Sequence, residues 1–189
     1  MSIEADRAVL TTTLRTDACG VLRSEDIGRK VTLYGWVARR REHGEHLAFV
    51  DLRDGTGVVQ CVVDGTVDVR NEWVVKVNGV VRQRPEGTVN YDLPTGEVEI
   101  GECEVEVLSQ AEQVPFPISD RIDADENVRL KFRYLDLRRE RLQRNLRIRA
   151  KMNSAIRTAM EAMGFCEIET PLLITSTPEG SREFIVPSR

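Results

Sequence analysis

The sequence predicts a five-stranded all-β barrel, followed by a hinge and then an α+β segment that begins with a long helix. Three observations support this prediction. Short valine-rich stretches of alternating polarity, separated by glycines, recur between residues 31 and 108. Residues 109–128 contain prolines but no periodicity, and apolar residues then recur at a spacing near 3.6. A composition of 41% hydrophobic and 31% charged residues is typical of a globular protein.

The five predicted strands lie close together in the chain, which favours a small barrel over an open sheet. Residues 65–72, between the third and fourth strands, have room for at most one turn of helix. In the last strand the alternation changes phase at Gly101, which predicts a β-bulge there. The strands are predicted at residues 31–41, 47–54, 57–64, 73–84 and 97–108.

Alternation along each strand separates core positions from surface positions. In the third strand Val59, Cys61 and Val63 form an apolar set, which leaves Gln60 on the opposite side. Phe49 has the same parity as two charged residues, so we expect it on the polar face. By this rule, one water-facing side of the barrel gathers Phe49, Gln60, Arg82, Arg84 and Glu99.

Such a set of side chains suits unpaired nucleic-acid bases, and a five-stranded barrel that bears it resembles an oligonucleotide-binding fold (OB-fold). An exposed aromatic such as Phe49 can stack on a base. Gln60 can donate and accept, as a uracil edge requires, and Glu99 can accept from the two N–H groups of guanine. Arg82 and Arg84 can donate to cytosine or to phosphates. Each residue alone is more often a solvated surface residue, and only their convergence favours binding.

The second half of the chain has a strongly basic stretch. Residues 129–157 hold 11 Lys and Arg residues against Asp136 and Glu140, whereas the whole chain has a net charge of −4. This asymmetry indicates either a surface for a polyanion or a solvated helix face or subunit contact. The long helix is predicted over residues 136–163 and should stop at Gly164. A short strand broken by Pro171 is predicted to follow.

Several classes of site and location are disfavoured. Cys19, Cys61, Cys103 and Cys166 are widely spaced, so we predict no metal site and free thiols in a reducing cytoplasm. The first residues are polar and no run of about 18 apolar residues occurs, so neither secretion nor a membrane partner is expected. No hydrolytic constellation surrounds the two histidines.

Several strings of residues then bear a family resemblance. Residues 35–41, 49–54 and 57–60 resemble the anticodon-binding barrel of class IIb aminoacyl-tRNA synthetases. Residues 133–139 look like the entry to the catalytic domain of those enzymes, and residues 164–172 are similar to class II motif 1. Residues 176–189 closely match the flipping loop of bacterial aspartyl-tRNA synthetases. The resemblance implies an anticodon-binding domain at 1–108, a hinge at 109–135 and the N-terminal part of a class II catalytic domain at 136–189.

The resemblance also implies roles for individual residues in binding tRNA-Asp. Arg41, Phe49 and Gln60 would engage the middle anticodon base, a uracil. Glu99 would read the first base, and Arg82 and Arg84 would serve the third. Arg41 has the parity of core residues in its strand, so we expect it to emerge only where the strand ends. His43 and Gly87 resemble the residues found in family members that also charge tRNA-Asn.

The family reaction joins aspartate to ATP with Mg²⁺ and then transfers the aspartyl group to tRNA. Glu179 would close over the α-amino group of the substrate, and Pro171 with the long helix would form a homodimer interface. Motifs 2 and 3, on which the ATP chemistry depends, do not occur in this sequence. We therefore expect no catalytic residue and no bound ATP or Mg²⁺ in the chain by itself.

Two other functions remain open from the sequence. A stand-alone single-strand-binding module of the same fold would bind ssDNA or ssRNA without a strong sequence preference. A lysyl or asparaginyl sibling enzyme would share the barrel strings and differ in its anticodon. Stem-loops with GUC, GUU and UUU anticodons would separate these alternatives.

Overall fold

A computed structural model describes residues 14–44, 46–121, 123–175 and 184–187. The chain divides into two compact units between Phe132 and Arg133.

The first unit contains a closed five-stranded barrel with the strand order β1-β2-β3-β5-β4. Neighbouring strands are antiparallel except β3 and β5, which are parallel. Residues 65–72 contain turns and no helix. The predicted barrel and all five of its strands are thus confirmed, with boundaries that differ by at most one residue. The strands are β1 (Lys30–Glu42), β2 (Leu47–Arg53), β3 (Val58–Asp64), β4 (Val74–Gln83) and β5 (Val98–Ser109).

The barrel interior is filled by one parity of side chains from each strand. β-branched residues dominate because they fit the pleated surface of a strand, and enclosing each one stabilises the fold by roughly 1.5–3 kcal/mol. Side chains at the alternate positions face outward. Fully or almost fully buried core side chains include Leu33, Val37, Val50, Leu52, Val59, Cys61, Val75, Val77, Val81, Val98 and Ile100.

A bulge in β1 reverses which side chains of its second half point out of the barrel. Val37 pairs with Leu52, but Asp51 pairs with Arg39, so β1 carries one extra residue at this point. Beyond the bulge, Arg41 pairs with Phe49 on the outer face. The expectation that Arg41 keeps the core parity and emerges only at the strand end was therefore wrong, because the extra residue shifts the phase of the strand.

A second bulge lies in β5 beside Gly101. Val80 pairs with Gly101 and Asn78 pairs with Glu104, so two residues of β5 oppose Gly79 alone. Glu102, within the bulge, has a positive φ of 51°. The predicted change of phase is confirmed, and the bulge begins one residue after Gly101.

The segment before β1 packs against the barrel. Its two single-turn 3-10 helices are Cys19–Val21 and Ser24–Asp26, and Cys19 and Leu22 join the core. The Asp54 carboxylate accepts a hydrogen bond of 2.8 Å from the backbone N–H of Cys19. These contacts tie the segment to the end of β2.

The predicted hinge is not wholly irregular, because it contains helix α1 (Glu126–Lys131). The Asp125 side chain accepts from the backbone N–H groups of Asn127 and Val128 and so caps its N-terminus. Nearer the barrel, the Trp73 indole donates to the Ala111 carbonyl at 3.0 Å. The beginning of the predicted hinge is thus held to the barrel.

The second unit contains the long helix, which begins later than predicted. The chain first forms a separate turn, α2 (Arg133–Asp136), and then α3 (Glu140–Ala162). The buried Asp136 accepts from Arg133 at 2.7 Å within that turn.

The end of α3 agrees with the sequence. Gly164 has a φ of +86°, and the N–H of Phe165 bonds the Met160 carbonyl at 3.1 Å. This is a Schellman-type C-cap, which confirms the predicted stop. The strand predicted around Pro171 was wrong, since residues 165–175 adopt no regular structure. A strand requires a neighbour for its ladder hydrogen bonds, and none pairs with this stretch among the described residues.

No helix within the described ranges is both long and apolar enough to cross a membrane.

Candidate nucleic-acid interface

Polar side chains from all five strands form a band across the outer face of the barrel. Asp51 lies opposite Gln60 in the β2–β3 ladder, and Arg82 lies opposite Glu99 in the β4–β5 ladder. Because β3 and β5 are neighbours, Gln60 and Glu99 meet in the middle. We call the set Arg41, Asp51, Gln60, Glu99 and Arg82 the polar row.

Hydrogen bonds connect the polar row from one end to the other. Arg41 Nη2 donates to Asp51 Oδ1 at 2.7 Å and to Gln60 Oε1 at 3.2 Å. Gln60 Nε2 donates to Glu99 Oε2 at 2.9 Å. The other oxygen, Glu99 Oε1, accepts from Arg82 Nε at 2.9 Å. The predicted residues Arg41, Gln60, Arg82 and Glu99 are therefore brought together.

The middle of the polar row is less exposed than the sequence suggested. Gln60 is 9% exposed and Glu99 only 2% exposed, so the expectation that both face water was wrong. Parity assigned their face correctly, but the neighbouring polar side chains cover them. Burial of Glu99 is tolerable because its carboxylate is paired and hydrogen-bonded. The arginine side chains at the two ends, Arg41 and Arg82, remain 40% and 49% exposed.

Phe49 lies beside the Arg41 end of the polar row. It is half-buried and does not belong to the core cluster inside the barrel. The ring of His43 lies near it, with the ring centroids 5.6 Å apart and the planes tilted by 59°. The structure thus places Phe49 and His43 together at one end of the interface.

Arg84 lies beside the polar row but is buried, at 7% exposure, which contradicts its predicted exposure. Its Nε donates to the Val98 carbonyl at 3.1 Å, so part of the guanidinium ties β4 to β5. Burial lowers the pKa of Arg84, while the nearby carboxylates of Glu99 and Asp51 oppose that shift. The cation is therefore kept close to the polar row without joining its hydrogen-bond chain.

An open cavity of about 570 Å³ adjoins Arg84. Gly87, which has a φ of +79°, lines it. Tyr91, which also lines it, is 90% exposed. The predicted specificity residue Gly87 is thus located near Arg84, whereas His43 is located beside Phe49.

The sequence prediction missed Asp51. Burial raises the pKa of the Asp51 carboxyl, and the positive charges of Arg41, Arg39 and Arg84 counteract that rise. Its parity, shared with Phe49, was a sufficient signal to include it in the polar face.

Two further predicted site residues lie in the second half of the sequence. Glu179 lies outside the described residues. Pro171 is exposed in a stretch without regular structure. The four cysteines are unpaired as disulfides, and within the described part of the chain no group of three His, Cys, Asp or Glu residues could hold a metal ion.

Comparison with known protein families gives two matches. Residues 31–108 match the OB-fold nucleic acid binding domain, and residues 125–189 match the class II tRNA synthetases of the D, K and N group. The first match spans the barrel that bears the polar row. The second spans all three α-helices.

Curated relatives share about half of their residues with this chain. The chain is 54% identical over 183 residues to an Aspartate–tRNA(Asp/Asn) ligase of Moorella thermoacetica, covering 93% of this chain and 30% of that protein. A ligase of the same name from Heliobacterium modesticaldum is 53% identical over 184 residues, with the same coverage. The chain thus spans about 30% of the length of these relatives.

Solved structures show the same fold. Asparaginyl-tRNA synthetase from Pyrococcus horikoshii superposes with a TM-score of 0.72 at 26% identity, covering 86% of this chain and 38% of that chain. An aspartyl-tRNA synthetase from Entamoeba histolytica gives a TM-score of 0.72 at 21% identity, covering 82% of this chain and 39% of that chain. The chain belongs to the class II aminoacyl-tRNA synthetases of the aspartyl, lysyl and asparaginyl group, and it corresponds to the N-terminal part of an aspartyl-type member.

Proposed function

We propose that the barrel binds the anticodon loop of tRNA-Asp and serves an aspartate–tRNA ligase. The observation that supports this function best is the hydrogen-bonded polar row beside Phe49. It combines a ring for stacking with an amide, a carboxylate and two cations that can contact base edges.

Each base has a proposed reader in this arrangement. Phe49, Arg41 and Gln60 take the middle uracil. Glu99 takes the first base, because its oxygens each accept one bond within the polar row and retain lone pairs for the two N–H groups of guanine. Arg82 and Arg84 take the third base; Arg82 is the more accessible of the two, since Arg84 is buried.

We further propose that tRNA-Asn is a second substrate. The two relatives above are named as ligases for tRNA(Asp/Asn), and His43 and Gly87 each lie beside a proposed anticodon-binding residue, Phe49 and Arg84 respectively. Aspartylation of tRNA-Asp and tRNA-Asn transcripts by the full-length enzyme tests this proposal. Charging of tRNA-Asp alone would contradict it.

For the whole enzyme we propose the family reaction in the cytoplasm, with ATP and Mg²⁺ as cofactors. In the domain scheme we propose, residues 1–108 bind the anticodon, 109–135 connect, and 136–189 begin the catalytic domain. Glu179 is the proposed contact to aspartate.

A homodimer is the proposed assembly of the enzyme, formed around α3 and Pro171. Apolar side chains of α3 are exposed in the part of the chain that the structure describes: Met152 and Ile156 are 58% and 55% exposed. Sedimentation equilibrium of the full-length enzyme tests the assembly. A monomer at micromolar concentration would contradict it.

The rival function is sequence-tolerant binding of single strands by the barrel. We propose to measure the affinity of the chain for stem-loops with GUC, GUU and UUU anticodons and for an ssDNA of equal length, at one salt concentration. The proposed binding of tRNA-Asp predicts that the stem-loop with the GUC anticodon binds most tightly. It also predicts that Glu99→Ala weakens binding by about 1–3 kcal/mol, the range for one base contact. Equal affinity for all four nucleic acids would favour the rival.

A further inference from the structure

We propose that Asp51 is a positioning residue that acts through Arg41 to fix the amide of Gln60, and that this fixed amide distinguishes uracil from cytosine at the middle anticodon position. This inference rests on the proposed function. It assigns a role to Asp51 and gives a physical cause for the preference for uracil over cytosine.

The orientation of the Gln60 amide follows from the chemistry of its two neighbours. An arginine can only donate hydrogen bonds, so the atom 3.2 Å from Arg41 must be the amide oxygen. A carboxylate can only accept, so the atom 2.9 Å from Glu99 must be the NH₂ group. A reversed amide would direct its NH₂ at a guanidinium and its oxygen at a carboxylate.

One further donor and one further acceptor remain on the Gln60 amide. Its NH₂ has a second hydrogen and its oxygen a second lone pair, after the bonds to Glu99 and Arg41 are counted. Uracil presents an N3–H donor next to an O4 acceptor, whereas cytosine presents an N3 acceptor next to an N4 donor. At a fixed base position, one amide orientation suits uracil and the reversed orientation suits cytosine. Fixing the amide therefore creates discrimination that a freely rotating amide lacks.

Asp51 anchors Arg41, which is one of the two residues that orient the Gln60 amide. The Arg41–Asp51 bond, at 2.7 Å, is shorter than the Arg41–Gln60 bond, at 3.2 Å. The Arg41 side chain is 40% exposed and Asp51 is 21% exposed, so Asp51 is the more enclosed partner. A long side chain with this much exposure adopts other rotamers when its anchor is removed. Without Asp51, Gln60 keeps only its bond to Glu99.

The test compares two stem-loops, GUC and GCC, which differ only at the middle base. Dissociation constants are measured for the wild-type chain, Asp51→Asn, Asp51→Ala and the control Asp68→Asn. The control removes the same charge at an exposed ion pair with Arg70, where both side chains are 74% exposed. The ratio of the two constants within one protein preparation does not depend on its active fraction, so partial misfolding does not obscure the result.

The wild type and Asp68→Asn are expected to prefer GUC by about 5- to 150-fold, the range for a bidentate side-chain contact to a base. Asp51→Asn should reduce that ratio by roughly threefold or more, and Asp51→Ala should reduce it further, since alanine offers Arg41 no acceptor. An unchanged ratio in both Asp51 variants would overturn the inference and leave the proposed function intact. A wild-type chain with no preference between the two loops would overturn both.

Discussion

The side chain of Arg82 passes over the α-carbon of Gly101. A β-carbon on Gly101 would stand 2.8 Å from Arg82 Cδ and 2.9 Å from its Nε, closer than side chains normally approach. The glycine therefore leaves the space in which Arg82 can reach Glu99 Oε1 at 2.9 Å. One end of the polar row thus depends on the absence of a side chain in the neighbouring strand.

Gly101→Ala is predicted to displace Arg82 and destabilise the barrel by roughly 1–3 kcal/mol, because the buried Glu99 loses a charged partner. Urea unfolding of the wild type, Gly101→Ala, Arg82→Ala and the double variant measures this effect. In the Arg82→Ala background, Gly101→Ala should lower the free energy of unfolding by a much smaller amount. Equal costs in both backgrounds would show that Gly101 acts on the bulge and not on Arg82.

A second ion pair outside the interface should be important for stability. Arg53 Nη2 donates to both oxygens of Glu72, at 2.7 and 2.8 Å. Glu72 is buried and has a φ of +67°, a conformation that an L-residue adopts only under strain. Arg53→Ala should destabilise the barrel by roughly 3–5 kcal/mol, since it leaves a buried carboxylate without this partner.

The matched control for that variant is Glu72→Gly, which removes the buried charge and relieves the positive φ. Combined with Arg53→Ala, it should recover a large part of the lost stability in thermal unfolding. Strictly additive losses in the double variant would argue against a direct dependence of Glu72 on Arg53.

Asp51 should make stability depend on pH in the acidic range. Burial raises the pKa of its carboxyl above the ordinary value of 3.8, so the folded state binds its proton more tightly than the unfolded state. The contribution of the Asp51 carboxyl to the free energy of unfolding should therefore fall as the pH rises above 3.8. The free energy of unfolding of the wild type minus that of Asp51→Asn, measured between pH 4 and 7, should decline with pH. A difference that is flat or rises with pH would contradict the prediction.

The cysteines should differ sharply in reactivity. Cys19 and Cys61 are buried. Burial raises the pKa of the Cys19 thiol, and a hydrogen bond with Cys103 together with burial raises the pKa of the Cys61 thiol, in both cases well above 9.0. Cys166 is exposed. A thiol reagent at neutral pH should modify Cys166 rapidly and Cys19 and Cys61 only after unfolding, as peptide mass spectrometry would report. Rapid labelling of Cys61 in the folded chain would be incompatible with its place in the core.

Strand positions and facing were predictable from sequence wherever alternation was regular. Val59 and Cys61 point inward and Gln60 outward, as their pattern indicates. Arg41 was not predictable in this way, because the bulge after Val37 shifts the phase and leaves no gap in the apolar pattern. The phase change at Gly101 could be recognised because apolar residues continue on both sides of it.

Burial of the polar row was beyond sequence reasoning for a different reason. Parity tells which face of a sheet a side chain occupies, but the exposure of Glu99 depends on where Arg82 and Gln60 place their ends. Helix α1 was missed, although Asp125 before Glu126 and Asn127 is a recognisable N-cap signal. The strand around Pro171 failed because no partner strand lies beside it among the described residues.

The central claim is that Gln60 contacts the middle base of the anticodon. Its most direct measurement is a double-mutant cycle that pairs Gln60→Ala with replacement of the middle uracil by cytosine in a GUC stem-loop. We predict a coupling of about 1–3 kcal/mol, because once the amide is gone the identity of that base should have little effect on affinity. Additive effects of the two changes, with a coupling near zero, would contradict the account.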